Sequence, residues 1–147
     1  MVANVCPNRG STETVRLVLD NAWEFDEPLS FKIPKRVDAL GCGPSLRFVT
    51  SQRMIERFYA EFGDVFRPFT LSGSGDFHHL TAIFIRQIKE PFVILSFDNH
   101  PDWDVRPPTW ACGGWINRAL ELPNVRHVSV WGCGVSNGLV VVGLLLG

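Results

Sequence analysis

Apolar residues recur along this chain in two rhythms, one at helical spacing and one in short aliphatic runs. Thr14–Leu19 is a β-branched and aliphatic run that predicts a first strand, ending at Asp20-Asn21. The stretch Trp23–Ser51 is broken by Pro28, Pro34, Pro44, Gly41 and Gly43, with Val37–Leu40 as a short strand inside it. Met54, Ile55, Phe58, Tyr59 and Phe62 fall on one helical face and predict a helix over 52–62. Phe66–Leu71 reads as a strand, Ser72-Gly73-Ser74-Gly75 as a flexible turn, and 79–89 as a helix burying Leu80, Ile83, Phe84 and Ile88. The uncharged run Pro91–Phe97 predicts a strand buried on both faces. A short helix over Trp115–Leu122, closed by Pro123, precedes a strand at Val125–Trp131. Strands alternating with helices predict an α/β fold whose parallel sheet is covered on both faces.

Composition narrows the class. The chain has 147 residues, 46% hydrophobic and 20% charged, which suits one globular domain over 1–147 rather than a disordered chain. A formal net charge of -1 gives no reason to expect nucleic acid or an anionic membrane as partner. Cys6, Cys42, Cys112 and Cys133 show no C-x-x-C spacing and follow no secretory signal, so reduced thiols in a cytoplasmic protein are expected. The first 13 residues are expected to be flexible. After His127 no charged residue occurs, and 135–147 reads as an atypical, appended tail, as in a truncated or frame-shifted chain. Its apolar run 138–147 is too short for a bilayer, which needs roughly 20 residues.

The strongest chemical signal is Asp98-Asn99-His100-Pro101-Asp102, directly after the predicted 91–97 strand. In extended chain, Asp98, His100 and Asp102 leave the backbone on one side, and Pro101 biases His100 towards that geometry. Carboxylates and imidazoles without thiolates suit manganese, iron(II), cobalt or catalytic zinc. Asp98 can bridge two ions, because a carboxylate has two oxygens. The same residue types also make an ordinary solvated turn.

A second cluster, Gly75-Asp76-Phe77-His78-His79, follows a predicted strand and opens a helix, so His78 can enter the same crevice. No phosphate-loop signature accompanies its glycines. His79 reads as a donor behind the ligands and Asp76 as a helix cap. Asp104 reads as a solvated acid that continues the period of two, and Cys112 as a small buried thiol without an identifiable activating partner. Trp103, Trp110 and Trp115 are assigned to packing rather than to a pocket.

These two motifs resemble the ureohydrolases, the arginase, agmatinase and formiminoglutamase group. Gly75-Asp76-Phe77-His78-His79-Leu80-Thr81 is similar to that family's G-G-D-H-S-[LI]-[TA], and Asp98-Asn99-His100-Pro101-Asp102 to its D-A-H-x-D, about twenty residues later in both. The resemblance covers roughly 65–134. It implies a three-layer α/β/α sandwich with a mainly parallel sheet and a binuclear manganese (Mn2+) centre. Within it, His78 and Asp102 would bind the first ion, Asp98 would bridge both, and His100 would bind the second. A metal-bridging hydroxide would attack a C–N carbon of a small guanidino or amidino substrate.

Three departures accompany the likeness. Phe77 and His79 stand where the family has Asp and Ser; either histidine is a ligand by type, and alignment through Leu80-Thr81 favours His78. Cys112 falls near the family's loop histidine, which implies altered chemistry. The third motif, S-x-D-x-D-x-x-D-P, is absent. The expectation is therefore an incomplete domain lacking its C-terminal part, of low activity, whose uncovered edge favours association into a homo-oligomer. The competing readings are a non-catalytic fragment or scaffold and a metallophosphoesterase, whose G-D-x-x-D and G-N-H-[ED] motifs are not found.

Overall fold

A computed structural model describes residues 14–23, 35–67 and 69–133. The segments 1–13 and 135–147, singled out in the sequence, lie outside the described residues. The architecture is mixed α/β, with four short α-helices and small, largely parallel sheets among the described residues. Strand β1 (Thr14–Val18) lies between β2 (Lys35–Asp38) and β4 (Phe69–Ser72), parallel to both. A second parallel pair joins β5 (Phe92–Phe97) to β7 (Val125–Trp131), with Phe97 opposite Trp131 at its end. Two-residue strands β3 (Val49–Thr50) and β6 (Trp110–Ala111) pair antiparallel.

The helices are α1 (Gly43–Leu46), α2 (Gln52–Phe62), α3 (Thr81–Phe84) and α4 (Trp115–Leu120). Helix α2 has the bounds its periodicity predicts. Ser51 caps it, accepting the Met54 N–H at 3.2 Å, and Ile55, Phe58 and Phe62 face inward. The core gathers Leu17, Ile55, Phe58, Phe77, Ile83, Phe84 and Trp115, with Phe66 stacked on Phe84 at 3.8 Å between ring centres. No helix among the described residues is long and apolar enough to cross a membrane.

Two expectations are corrected. The segment 79–89 is not one helix: a 3-10 turn over Gly75–Leu80 leads into α3, and a second, Ile85–Gln87, ends it. Thr81, Ala82 and Ile85 are buried along with Leu80, Ile83 and Phe84, so most of the segment runs through the interior and has little solvent face to support a regular amphipathic helix. Strand β5 is buried on one face only. Ile94 and Ser96 point into the core, while Val93 is 65% and Phe97 57% exposed, beside Trp131 at 56%. Helix α4 packs against α3 and β7, and among the described residues no helix covers the opposite face of this pair.

Candidate metal centre

Three chain segments meet where β5 ends. The first is the turn after β4. Gly73 has φ +45°, and a Cβ there would stand 2.6 Å from the Phe77 ring, so the tight entry into the 3-10 turn requires glycine. That turn buries Phe77 and His79 and leaves His78 facing the end of β5. Asp76 does not cap it; its carboxylate is instead taken by Arg47, at 2.7 Å from Nε and 2.5 Å from a terminal nitrogen.

The second segment is Asp98 itself, and the third is the loop to Asp102. Asp98 Oδ1 accepts the His100 amide at 2.9 Å, a local turn that ends the strand. The chain is therefore not extended over 98–102, which corrects the expectation that three side chains leave on one side. His100 swings outward, 78% exposed, with Nδ1 3.5 Å from Asp98 Oδ1. Asp102 turns inward with φ +55°, a left-handed conformation that Asp tolerates better than most residues.

His78, Asp98 and Asp102 come together. One ligand atom from each lies within 4.8 Å of the other two. His78 Nδ1 is 3.8 Å from Asp98 Oδ2, and its Nε2 is 3.2 Å from Asp102 Oδ2. The two distances use opposite nitrogens of one ring, of which a single cation would take only one; it is the donor set, two carboxylates and an imidazole, that suits manganese or zinc. Nε2 is buried and, despite its nearness to Asp102, is not aligned for a hydrogen bond with it. The trio thus holds two carboxylates and an imidazole whose pairing is incomplete.

Asp102 is the deepest of the three. Burial pushes its carboxyl above the usual carboxylate range; charge on His78 and the Trp115 N–H oppose this, and Asp98 adds repulsion. Trp115 Nε1 donates to Asp102 Oδ2 at 2.9 Å, both side chains being buried. The packing role expected of Trp115 is therefore only part of its place. Its hint in the sequence was chemical alone: a buried indole N–H needs an acceptor.

The other candidates lie outside the trio. His79 is fully buried, with Nδ1 3.2 Å from the Cys112 sulfur. Burial, and then charge on His78, lowers its pKa to about 4, against the nearby Leu46 carbonyl. Cys112 donates its thiol to the Asp76 carbonyl at 2.9 Å, and burial raises its pKa to about 11. The two side chains form a neutral pair, without the thiolate–imidazolium of a cysteine nucleophile. Asp104 is exposed.

A cleft of about 380 Å³ opens beside His78 and Asp98. Trp23, Phe66, Thr70, Ser72, Ser74 and Thr81 contribute to its walls. Trp23 is pinned there by its indole N–H on the Gly73 carbonyl at 2.6 Å. The Ser74 hydroxyl oxygen is buried without a hydrogen-bond partner. Space for a small molecule thus adjoins the trio.

Over 64 residues the chain is 45% identical to an uncharacterized protein of Thermotoga maritima. That stretch covers 43% of this chain and 26% of the relative, so the likeness spans about a quarter of the longer protein. No family model and no solved structure matches the chain.

Proposed function

We propose that this chain carries a metal centre of a ureohydrolase-type hydrolase, acting on a non-peptide C–N bond of a small guanidino or amidino compound. The observation that supports it is the clustering of His78, Asp98 and Asp102, one ligand atom from each within 4.8 Å of the others, with His78 and Asp98 lining a cleft. These residues would hold a divalent cation, manganese by the resemblance, which supplies the charge that makes a water acidic enough to react near neutral pH. The chain's own part is to bind the cation and to seat the substrate beside it. Asp98 and Asp102 contribute negative charge, His78 a neutral nitrogen, and the cleft walls seat the substrate against them. The three-layer α/β/α sandwich is the architecture that goes with this reading.

One observation favours a non-catalytic scaffold instead. His100, the resemblance's ligand for a second ion, stands outside the trio and largely in solvent. Metal content decides between the two readings. Manganese bound per folded chain would be measured after loading and dialysis, for wild type and Asp98→Ala. At least one retained ion, lost in the variant, is expected, followed by release of urea, formamide or ammonia in a screen of guanidino, formimino and amidino compounds. A folded wild-type chain that retains none refutes the hydrolase reading. Turnover of phosphate esters alone would replace it by a phosphoesterase.

A further inference from the structure

We propose that Trp115 is a positioning residue for the candidate metal centre, its indole N–H setting the orientation in which Asp102 meets a cation. The inference rests on the metal-site reading above and deepens it. Asp102 is held at both ends by the start of α4. Its carboxylate Oδ2 takes the Trp115 N–H at 2.9 Å, and its backbone carbonyl takes the Ile116 N–H at 3.2 Å. The next residue, Asn117, donates to the Trp103 and Val105 carbonyls at 2.8 and 3.1 Å. Val105 in turn donates its N–H to the Gly113 carbonyl at 2.8 Å.

Ile116, Asn117 and Gly113 hold only backbone or neighbouring residues of the loop. Among these contacts, Trp115 alone touches the ligating group. That distinction has chemical content. A free carboxylate rotates about its last torsion and would spend part of its time with the wrong oxygen forward. An N–H fixed by the core removes that freedom before any ion arrives. The donor is also neutral. A lysine or arginine in its place would fix the carboxylate equally well but cancel the charge that attracts the cation. The left-handed backbone at Asp102 is the strain that this clamp sustains.

The test compares three full-length proteins: wild type, Trp115→Phe and Trp110→Phe. Trp110 serves as the control, since its indole N–H goes to Gln52, away from the trio. Mn2+ affinity would be read by titration calorimetry, and folding by circular dichroism and urea melts. Trp115→Phe is expected to weaken Mn2+ binding about 10- to 100-fold, and Trp110→Phe to leave it within about twofold. In wild type, the Trp115 indole 1H–15N resonance, assigned by its loss in Trp115→Phe or through contacts to Asp102, should move on adding Zn2+ while that of Trp110 does not.

Equal Mn2+ affinity in Trp115→Phe and wild type overturns the positioning role and leaves the metal site standing. Should that variant not fold, the wild-type spectrum decides, because an unmoved Trp115 resonance in a chain that has taken up Zn2+ overturns it too. A wild-type chain that binds neither ion overturns the metal reading and this inference together.

Discussion

Acidifying the apo protein forces either a proton onto His79 or the chain to unfold. The ring is fully buried, and its pKa falls from the ordinary 6.5 to about 4. Between those values the unfolded chain binds the proton and the folded one does not. Stability that is fully present above pH 6.5 is therefore lost as pH falls towards 4. At about 1.4 kcal/mol per pH unit of separation, the loss is about 2 kcal/mol at pH 5 and about 3 kcal/mol at pH 4. Carboxyl groups titrate in the same range, and Asp102, raised by burial, works in the opposite direction. A variant is needed to isolate the imidazole. Urea unfolding with chelator present, at half-unit steps from pH 7.5 to 4.5, would be compared for wild type and His79→Asn. Asn is neutral throughout, so the wild-type curve should fall more steeply below pH 6.5, by about 2 kcal/mol at pH 5. Curves that stay parallel within about 0.5 kcal/mol would refute the argument that His79 is held neutral by its surroundings.

Two further outcomes follow from the same packing. Burial raises the Cys112 thiol to about 11 from 9.0, so iodoacetamide at pH 8 should label it on the order of 100-fold more slowly in the folded than in the urea-unfolded chain; comparable rates, read by peptide mass spectrometry, would contradict the neutral Cys112–His79 pair. At Gly114 an added Cβ would stand 2.2 Å from the Val105 carbonyl oxygen, backbone that cannot yield without freeing the loop after Asp102. Gly114→Ala should therefore destabilise by about 1–3 kcal/mol and weaken Mn2+ uptake, and an unchanged melt would show that the loop adapts.

Strand β7 and helix α2 were legible because each carries a local signal: valines at 125, 128 and 130 ahead of Gly132, and five apolar residues on one helical face. The segment 79–89 was not, because periodicity reports an interface with solvent and this segment has little. Strand β5 misled for the converse reason. An uncharged run says that burial is allowed, not that it happens, and Val93, Leu95 and Phe97 remain exposed. At the candidate site, residue type and proximity to a strand end placed Asp98, and the second motif placed His78. The side to which each residue of 98–102 turns depends on the Asp98–His100 turn and on the left-handed backbone at Asp102. Both arise from contacts that spacing does not encode. Trp115 lies 13 residues from Asp102, and nothing local links them.

Among the described residues, the exposed face of β5 and β7 has a colloidal consequence of its own. Val93, Leu95, Phe97 and Trp131 form a ribbon of greasy surface on a molecule of formal net charge -1, so long-range repulsion between copies is weak. Attraction through such a ribbon grows on warming and with excluded salts such as sulfate, the reverse of attraction between charges, which salt screens. Cold, dilute, sulfate-free stocks should stay clear longest, and ammonium sulfate should bring the protein out of solution early.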